Sequence, residues 1–120
     1  MKAINSLYEA QKIAFIPFVF QTAYCMLELG IFNELYEARD GLSVEEIATK
    51  TKVSEYGVRV LVEMAKAADI VELSDDKYAL TKIGYFIARD EMTRVNLYFT
   101  QDVCYKGLFH LKNSIVNGKP

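Results

Sequence analysis

The stretch that decides the fold is Leu42-Ser43-Val44-Glu45-Glu46-Ile47-Ala48, followed by Val53-Ser54-Glu55 and then by Ile70-Val71-Glu72-Leu73-Ser74-Asp75-Asp76-Lys77-Tyr78-Ala79-Leu80-Thr81. Ser43 with Glu46 spells a capping box, so a helix starts at Val44 and buries Val44, Ile47, Ala48 and Thr51. Ser54 is a second N-cap. The helix after it, Glu55 to Ala68, places Val58, Leu61, Val62 and Ala65 at the i, i+3, i+4, i+7 spacing of one buried face. Ile70 to Leu73 reads as a strand, Ser74-Asp75-Asp76 as a turn and Lys77 to Leu80 as the returning strand. Thr81 caps a further helical turn through Ile83, Phe86 and Ile87. Helix, tight turn, helix and two-stranded β wing, in that order, predict a winged helix-turn-helix over residues 42–88.

On the N-terminal side, residues 1–39 read as apolar helices. Ala3 to Lys12 forms one and Ala14 to Leu29 another, with Pro17 in the first turn, where a missing N–H is tolerated. Gly30 stops it, and Ile31 to Tyr36 is a short helical turn before Asp40-Gly41. On the C-terminal side, residues 92–117 predict one long helix that ends at Asn117-Gly118-Lys119-Pro120. The fold class is therefore mainly α: one winged-helix domain, flanked by N-terminal apolar helices and a long C-terminal helix.

The totals narrow the function. The 120 residues make about one domain, and 52% hydrophobic residues suffice for a core. Cys25 and Cys104 lie far apart in apolar stretches with no Cys/His cluster, so they read as buried thiols, and no metal site is expected. The apolar run Ile13 to Leu27 is shorter than the roughly 20 residues a bilayer needs. No small-residue cleavage site follows it. The expectation is a cytoplasmic protein with no membrane partner.

Ile13, Ile16, Phe20, Tyr24 and Leu27 line one face of that run; Phe15, Val19, Met26 and Leu29 line another, with Phe18 and Cys25 on a third. A helix apolar on nearly every side must be covered on nearly every side, which so small a domain cannot do alone. A homodimer is the economical solution, with Phe15, Phe18, Val19, Phe20, Tyr24 and Met26 at the interface.

Nucleic acid is not an expected partner. The outward positions of the second winged-helix segment are Glu55, Tyr56, Arg59, Glu63 and Lys66, and the wing tip is Asp75-Asp76. Residues 39–90 hold eight basic and ten acidic side chains, without the clustered basic excess that phosphate binding requires. Catalytic residues are also absent from this reading. There is no glycine-rich phosphate loop. His110, the single histidine, is expected as a half-buried packing residue. Glu45-Glu46 suits a helix start, and Asp75-Asp76 suits a turn. Tyr98, Tyr105 and Phe109 form an aromatic stripe that serves either packing or a flat apolar ligand.

Leu42-Ser43-Val44-Glu45-Glu46-Ile47-Ala48, Val58-Arg59-Val60-Leu61-Val62, Ala68-Asp69-Ile70-Val71-Glu72 and Tyr78-Ala79-Leu80-Thr81-Lys82-Ile83-Gly84 together resemble the N-terminal dimerisation domain of S-adenosylmethionine-dependent O-methyltransferases of the caffeic-acid and hydroxyindole type. The chain departs from that pattern at Asp69, where the family has Gly, and at Val62 and Met64 in the leucine-rich helix. The resemblance implies a parent methyltransferase with a Rossmann-like catalytic domain after Pro120. S-adenosylmethionine would be held there, and no cofactor or catalytic residue would lie in this chain. It also implies a small-molecule substrate in the parent, with Tyr98, Gln101, Asp102, Tyr105 and Phe109 as substrate-pocket candidates. The alternative is a dimeric winged-helix transcriptional regulator.

Overall fold

The computed structural model describes residues 2–120. Helix α1 spans Ala3–Glu28, α2 Ile31–Glu37, α3 Val44–Thr51 and α4 Glu55–Ala67. Strands β1, Val71–Ser74, and β2, Lys77–Leu80, pair antiparallel, with Val71 opposite Leu80 and Ser74 opposite Lys77. After them come α5, Lys82–Arg89, and α6, Glu91–Phe99. A π-helical segment, Thr100–Cys104, leads to α7, Tyr105–Leu108, and α8, Leu111–Asn117.

The winged helix forms where the local signals place it. The Ser43 hydroxyl accepts the Glu46 N–H at 3.1 Å, and the Glu46 carboxylate accepts the Ser43 N–H at 2.9 Å. These bonds hold the Glu46 carboxyl below its ordinary value, the Ser43 backbone donor contributing most. Ser54 and Thr81 cap α4 and α5 through the N–H groups of Gly57 and Gly84. Asp75 and Asp76 both adopt positive φ, 51° and 62°, as a two-residue type I′ hairpin loop requires. A bridge between Leu42 and Tyr78 ties the wing to the entry of α3. Packing is closest at Gly84, where a Cβ would stand 2.3 Å from the Ile70 carbonyl oxygen.

The core joins Met26 of α1 with Ile31, Phe32 and Leu35 of α2, Ile47 of α3, Val58 and Val62 of α4, and Val71 of β1. Thr51 is half-buried and turns its hydroxyl back onto the Ile47 carbonyl. Only the last turns of α1 belong to this core: Thr22, Ala23 and Met26 are its buried residues.

Three expectations are corrected. The two N-terminal helices are one, running unbroken through Lys12 and Ile13, with Pro17 in its interior and not in a first turn. Proline there removes one helical N–H and crowds the carbonyl four residues back, and the helix continues through it along an exposed stretch. The long C-terminal helix is interrupted twice. At the first break the Thr100 hydroxyl binds the Asn96 carbonyl at 2.8 Å, and the next turn widens until the Tyr105 N–H reaches the Thr100 carbonyl. At the second, i to i+3 bonds from Phe109 to Lys106 and from His110 to Gly107 close α7. His110 is therefore exposed in a turn and is not a packing residue.

The radius of gyration is 16.3 Å, above the roughly 13–14 Å of a compact chain this long. The excess comes from segments without cover: residues 3–18 of α1 and residues 106–117 are exposed almost throughout.

Candidate functional site

The site is the length of α1 and what lies along it. Its last turns are anchored by Met26, which is 0% exposed. Toward the N-terminus the core falls away and the helix stays apolar: Ile4, Leu7, Ile13, Phe15, Ile16 and Phe18 are all exposed. Phe15 and Phe18 touch each other, ring centroids 5.9 Å apart, and remain 49% and 60% exposed. Apolar patches of this kind are what soluble monomers avoid.

The two largest grooves along the helix lie on either side of Ile16. One, of about 640 Å³, runs between α1 and the end of α4, lined by Tyr8, Ile13, Phe15, Ile16, Val19, Met64, Ala67 and Ile83. The other, of about 720 Å³, lies between Ile16, Pro17 and Phe20 on α1 and Tyr105, Leu108, Phe109 and His110.

The C-terminal segment runs antiparallel along α1, held by side-chain contacts. Tyr98 donates its hydroxyl to the Glu28 carboxylate at 2.7 Å and meets the Tyr24 ring edge-on at 5.8 Å. Gln101 accepts from the Gln21 amide at 2.7 Å. The Tyr105 ring stacks on Phe20 at 5.2 Å, and its hydroxyl reaches the Pro17 carbonyl at 3.3 Å. Burial, reinforced by the hydrogen bond to Glu28 and that residue's charge, pushes the Tyr98 hydroxyl up to about 12. Tyr24 is raised too, first by burial and then by the charges of Glu28 and Asp102.

Of the substrate-pocket candidates, Tyr98, Gln101 and Tyr105 come together, but against α1. Asp102 is exposed, and Phe109, 89% exposed, borders the larger groove beside His110. Glu28 and Gln21 were not foreseen, because a polar residue on an apolar helix announces its partner only once the facing segment is placed. Of the interface candidates, Phe15 and Phe18 are exposed, and Val19, Phe20 and Tyr24 are half-buried. Met26 is corrected: it is sealed in the core of its own chain and presents nothing to a partner. Both cysteines are half-buried, not buried.

Among the described residues no cluster of His, Cys, Asp or Glu is placed to hold a metal ion. Among the described residues the one sheet is the antiparallel wing, and no strand leads through a glycine turn into a helix. That strand–glycine turn–helix arrangement is the one by which a Rossmann-like domain cradles a nucleotide-like cofactor. Among the described residues no single helix is long and apolar enough to cross a membrane; α1 and α2 reach that length and apolarity only together, as a pair bent by 71°.

A winged-helix scaffold presenting a long helix whose N-terminal half is left uncovered is suited to association. The family model described as a Dimerisation2-like domain matches residues 8–78, and the chain belongs to that family. Two solved structures share the fold. The S-adenosylmethionine-dependent methyltransferase SibL, in its apo form, aligns with a TM-score of 0.77 and 23% identity, over 89% of this chain and 32% of its own. Human N-acetylserotonin methyltransferase, in complex with SAM, aligns with a TM-score of 0.70 and 23% identity, over 98% of this chain and 36% of its own. The chain thus spans about a third of the length of either. No curated protein matches it in sequence.

Proposed function

We propose that this chain is the dimerisation domain of an S-adenosylmethionine-dependent methyltransferase, and that it pairs with a second copy of itself through the exposed part of α1. The observation that carries this reading is the apolar surface of α1 from Ile4 to Phe18, which the chain's own fold leaves open. Membership of a dimerisation-domain family and the fold shared with two longer methyltransferases support it. The cofactor, the catalytic base and most of the substrate site belong to the part of the parent that these residues do not represent. A small-molecule substrate there would meet this domain at the groove bordered by Tyr105 and Phe109. A cytoplasmic location is part of the same proposal, and it rests on the sequence alone.

The winged helix acts as a scaffold in this account and not as a reader of DNA. The exposed face of α4 carries Glu55 and Glu63 beside Arg59 and Lys66, and Arg59 already lies 4.0 Å from Glu45. A basic cluster to neutralise several phosphates is missing from that face.

Sedimentation equilibrium on the purified chain tests the proposal. The expected mass is twice 13.7 kDa. Phe15→Glu and Phe18→Glu are expected to give the single-chain mass with helical content retained, because both side chains are outside the core.

A further inference from the structure

On the winged helix, away from α1, a small cleft opens between the end of α2 and α5. It holds about 240 Å³ and is lined by Leu35, Tyr36, Arg39, Leu80 and Tyr85. Leu80, half-buried, and Leu35, 1% exposed, line its inner side. The Tyr36 and Tyr85 rings stand 5.9 Å apart at 39°, forming a tilted aromatic wall. Arg39 lies on the lining, and the Arg89 guanidinium sits 4.4 Å from the centre of the Tyr36 ring. Among the described residues the ion pairs are Lys12 with Glu9 and Arg59 with Glu45, so neither arginine forms one. Glu37 and Asp40 neighbour Arg39 in sequence but form no ion pair with it.

We propose that this cleft binds a small aromatic carboxylate, with its ring on the Leu35–Leu80 side against the two tyrosines and its carboxylate on Arg39. The site goes beyond the dimerisation reading and shares no residue with the grooves along α1. Three features select this ligand class. The volume is below the roughly 300–1,000 Å³ of pockets for larger ligands, which leaves room for about one ring. Leucine and tyrosine surfaces reward a flat apolar body. An unpaired guanidinium presents a planar fork that matches a carboxylate with two parallel N–H···O bonds. Arg89, held over Tyr36, adds a second positive charge beside the cleft and draws the same sign of ligand.

Benzoate is the probe. It is titrated into the isotope-labelled 120-residue chain while amide shifts are followed, with benzyl alcohol and acetate as matched controls. Saturable shifts confined to residues 35–39, 78–81 and 85–89 are expected. Benzyl alcohol and acetate should each bind at least about tenfold more weakly, since one lacks the charge and the other the ring. Arg39→Gln should weaken benzoate about tenfold or more while leaving the remaining spectrum in place. Arg89→Gln should weaken it by less, and added salt should reduce affinity in the original chain. The proposal is overturned if benzoate gives no saturable shifts there, if benzyl alcohol binds as well, or if Arg39→Gln, folded by its spectrum, binds unchanged.

Discussion

At the scale of single residues, backbone conformation separates positions that look alike in sequence. Lys52 ends α3 at φ 62°, in the left-handed region where a Cβ is unfavourable. Lys52→Gly is expected to stabilise the fold by about 0.5–1 kcal/mol, the relief exceeding the added freedom of the unfolded chain. Asp69 has nearly the same φ, 61°, but an aspartate tolerates it, so Asp69→Gly should be close to neutral. That accounts for the departure from the family pattern: the backbone asks for the left-handed region, and Asp supplies it as Gly would. The two glycines Gly84 and Gly107 differ more sharply. Gly84→Ala drives a methyl into the Ile70 carbonyl and should cost about 1–3 kcal/mol or more. Gly107→Ala meets nothing within 4 Å and should be neutral or stabilising by about 0.5–1 kcal/mol. Urea denaturation of the four variants checks the ranking.

The caps were readable at this scale because a capping bond needs only residues three apart. Met26 was misplaced for the opposite reason. Its burial depends on α2 and α4 folding over one end of α1 and not the other, which no wheel of α1 alone reveals. Met26→Ala should therefore cost about 2–5 kcal/mol of stability, the signature of a core residue, and should not act by dissociating a dimer.

At the scale of elements, the winged helix was legible and the two flanking helices were not. One capping box, two further N-caps, a polar turn at Ser74-Asp75-Asp76 and a period-matched apolar face all agree between residues 42 and 88; the structure shifts the first strand by one residue, to Val71–Ser74, and leaves Asp75-Asp76 as the loop. In α1 the proline suggested a start that the structure does not have. After residue 91 the apolar pattern gave the helical content but not the breaks, since the widened turn after Thr100 and the turn at Phe109–His110 leave the hydropathy pattern unchanged. The side chains facing α1 now make a prediction about order. Tyr98→Phe combined with Gln101→Ala removes the two short hydrogen bonds to α1. Hydrogen exchange should then rise across residues 91–117 and stay unchanged in α3 and α4. Equal acceleration in both regions would show that the segment is part of the cooperative core.

Ionisation separates the same elements. The neutral Tyr98 hydroxyl is favoured in the fold. Its contribution is complete below the ordinary tyrosine value of 10.0 and is lost as pH rises through about 12. In an ultraviolet titration, Tyr98→Phe should remove the latest tyrosinate step. Asp90 behaves oppositely. Hydrogen bonds from the Thr93 hydroxyl and amide lower its carboxyl, so its contribution is present above the ordinary value near 3.8 and fades as pH falls through the lowered one. Asp90→Asn keeps a capping oxygen and should flatten that acid limb of the stability profile.

At the scale of the whole molecule, a small core supports a long apolar helix that it covers only at one end. Folding alone leaves Ile4, Leu7, Ile13, Phe15, Ile16 and Phe18 in water, and pairing is the means by which such a surface is removed. The scaffold's charges lead to a second whole-molecule expectation: fluorescence anisotropy with random duplex at low salt should detect no micromolar binding. Binding that weakens steeply with salt would restore the regulator reading.

The most direct test of the pairing claim is the solution mass of the chain by sedimentation equilibrium at micromolar concentration. The account predicts twice 13.7 kDa, falling to 13.7 kDa in Phe18→Glu. A folded, unmodified chain that sediments at 13.7 kDa throughout would contradict it.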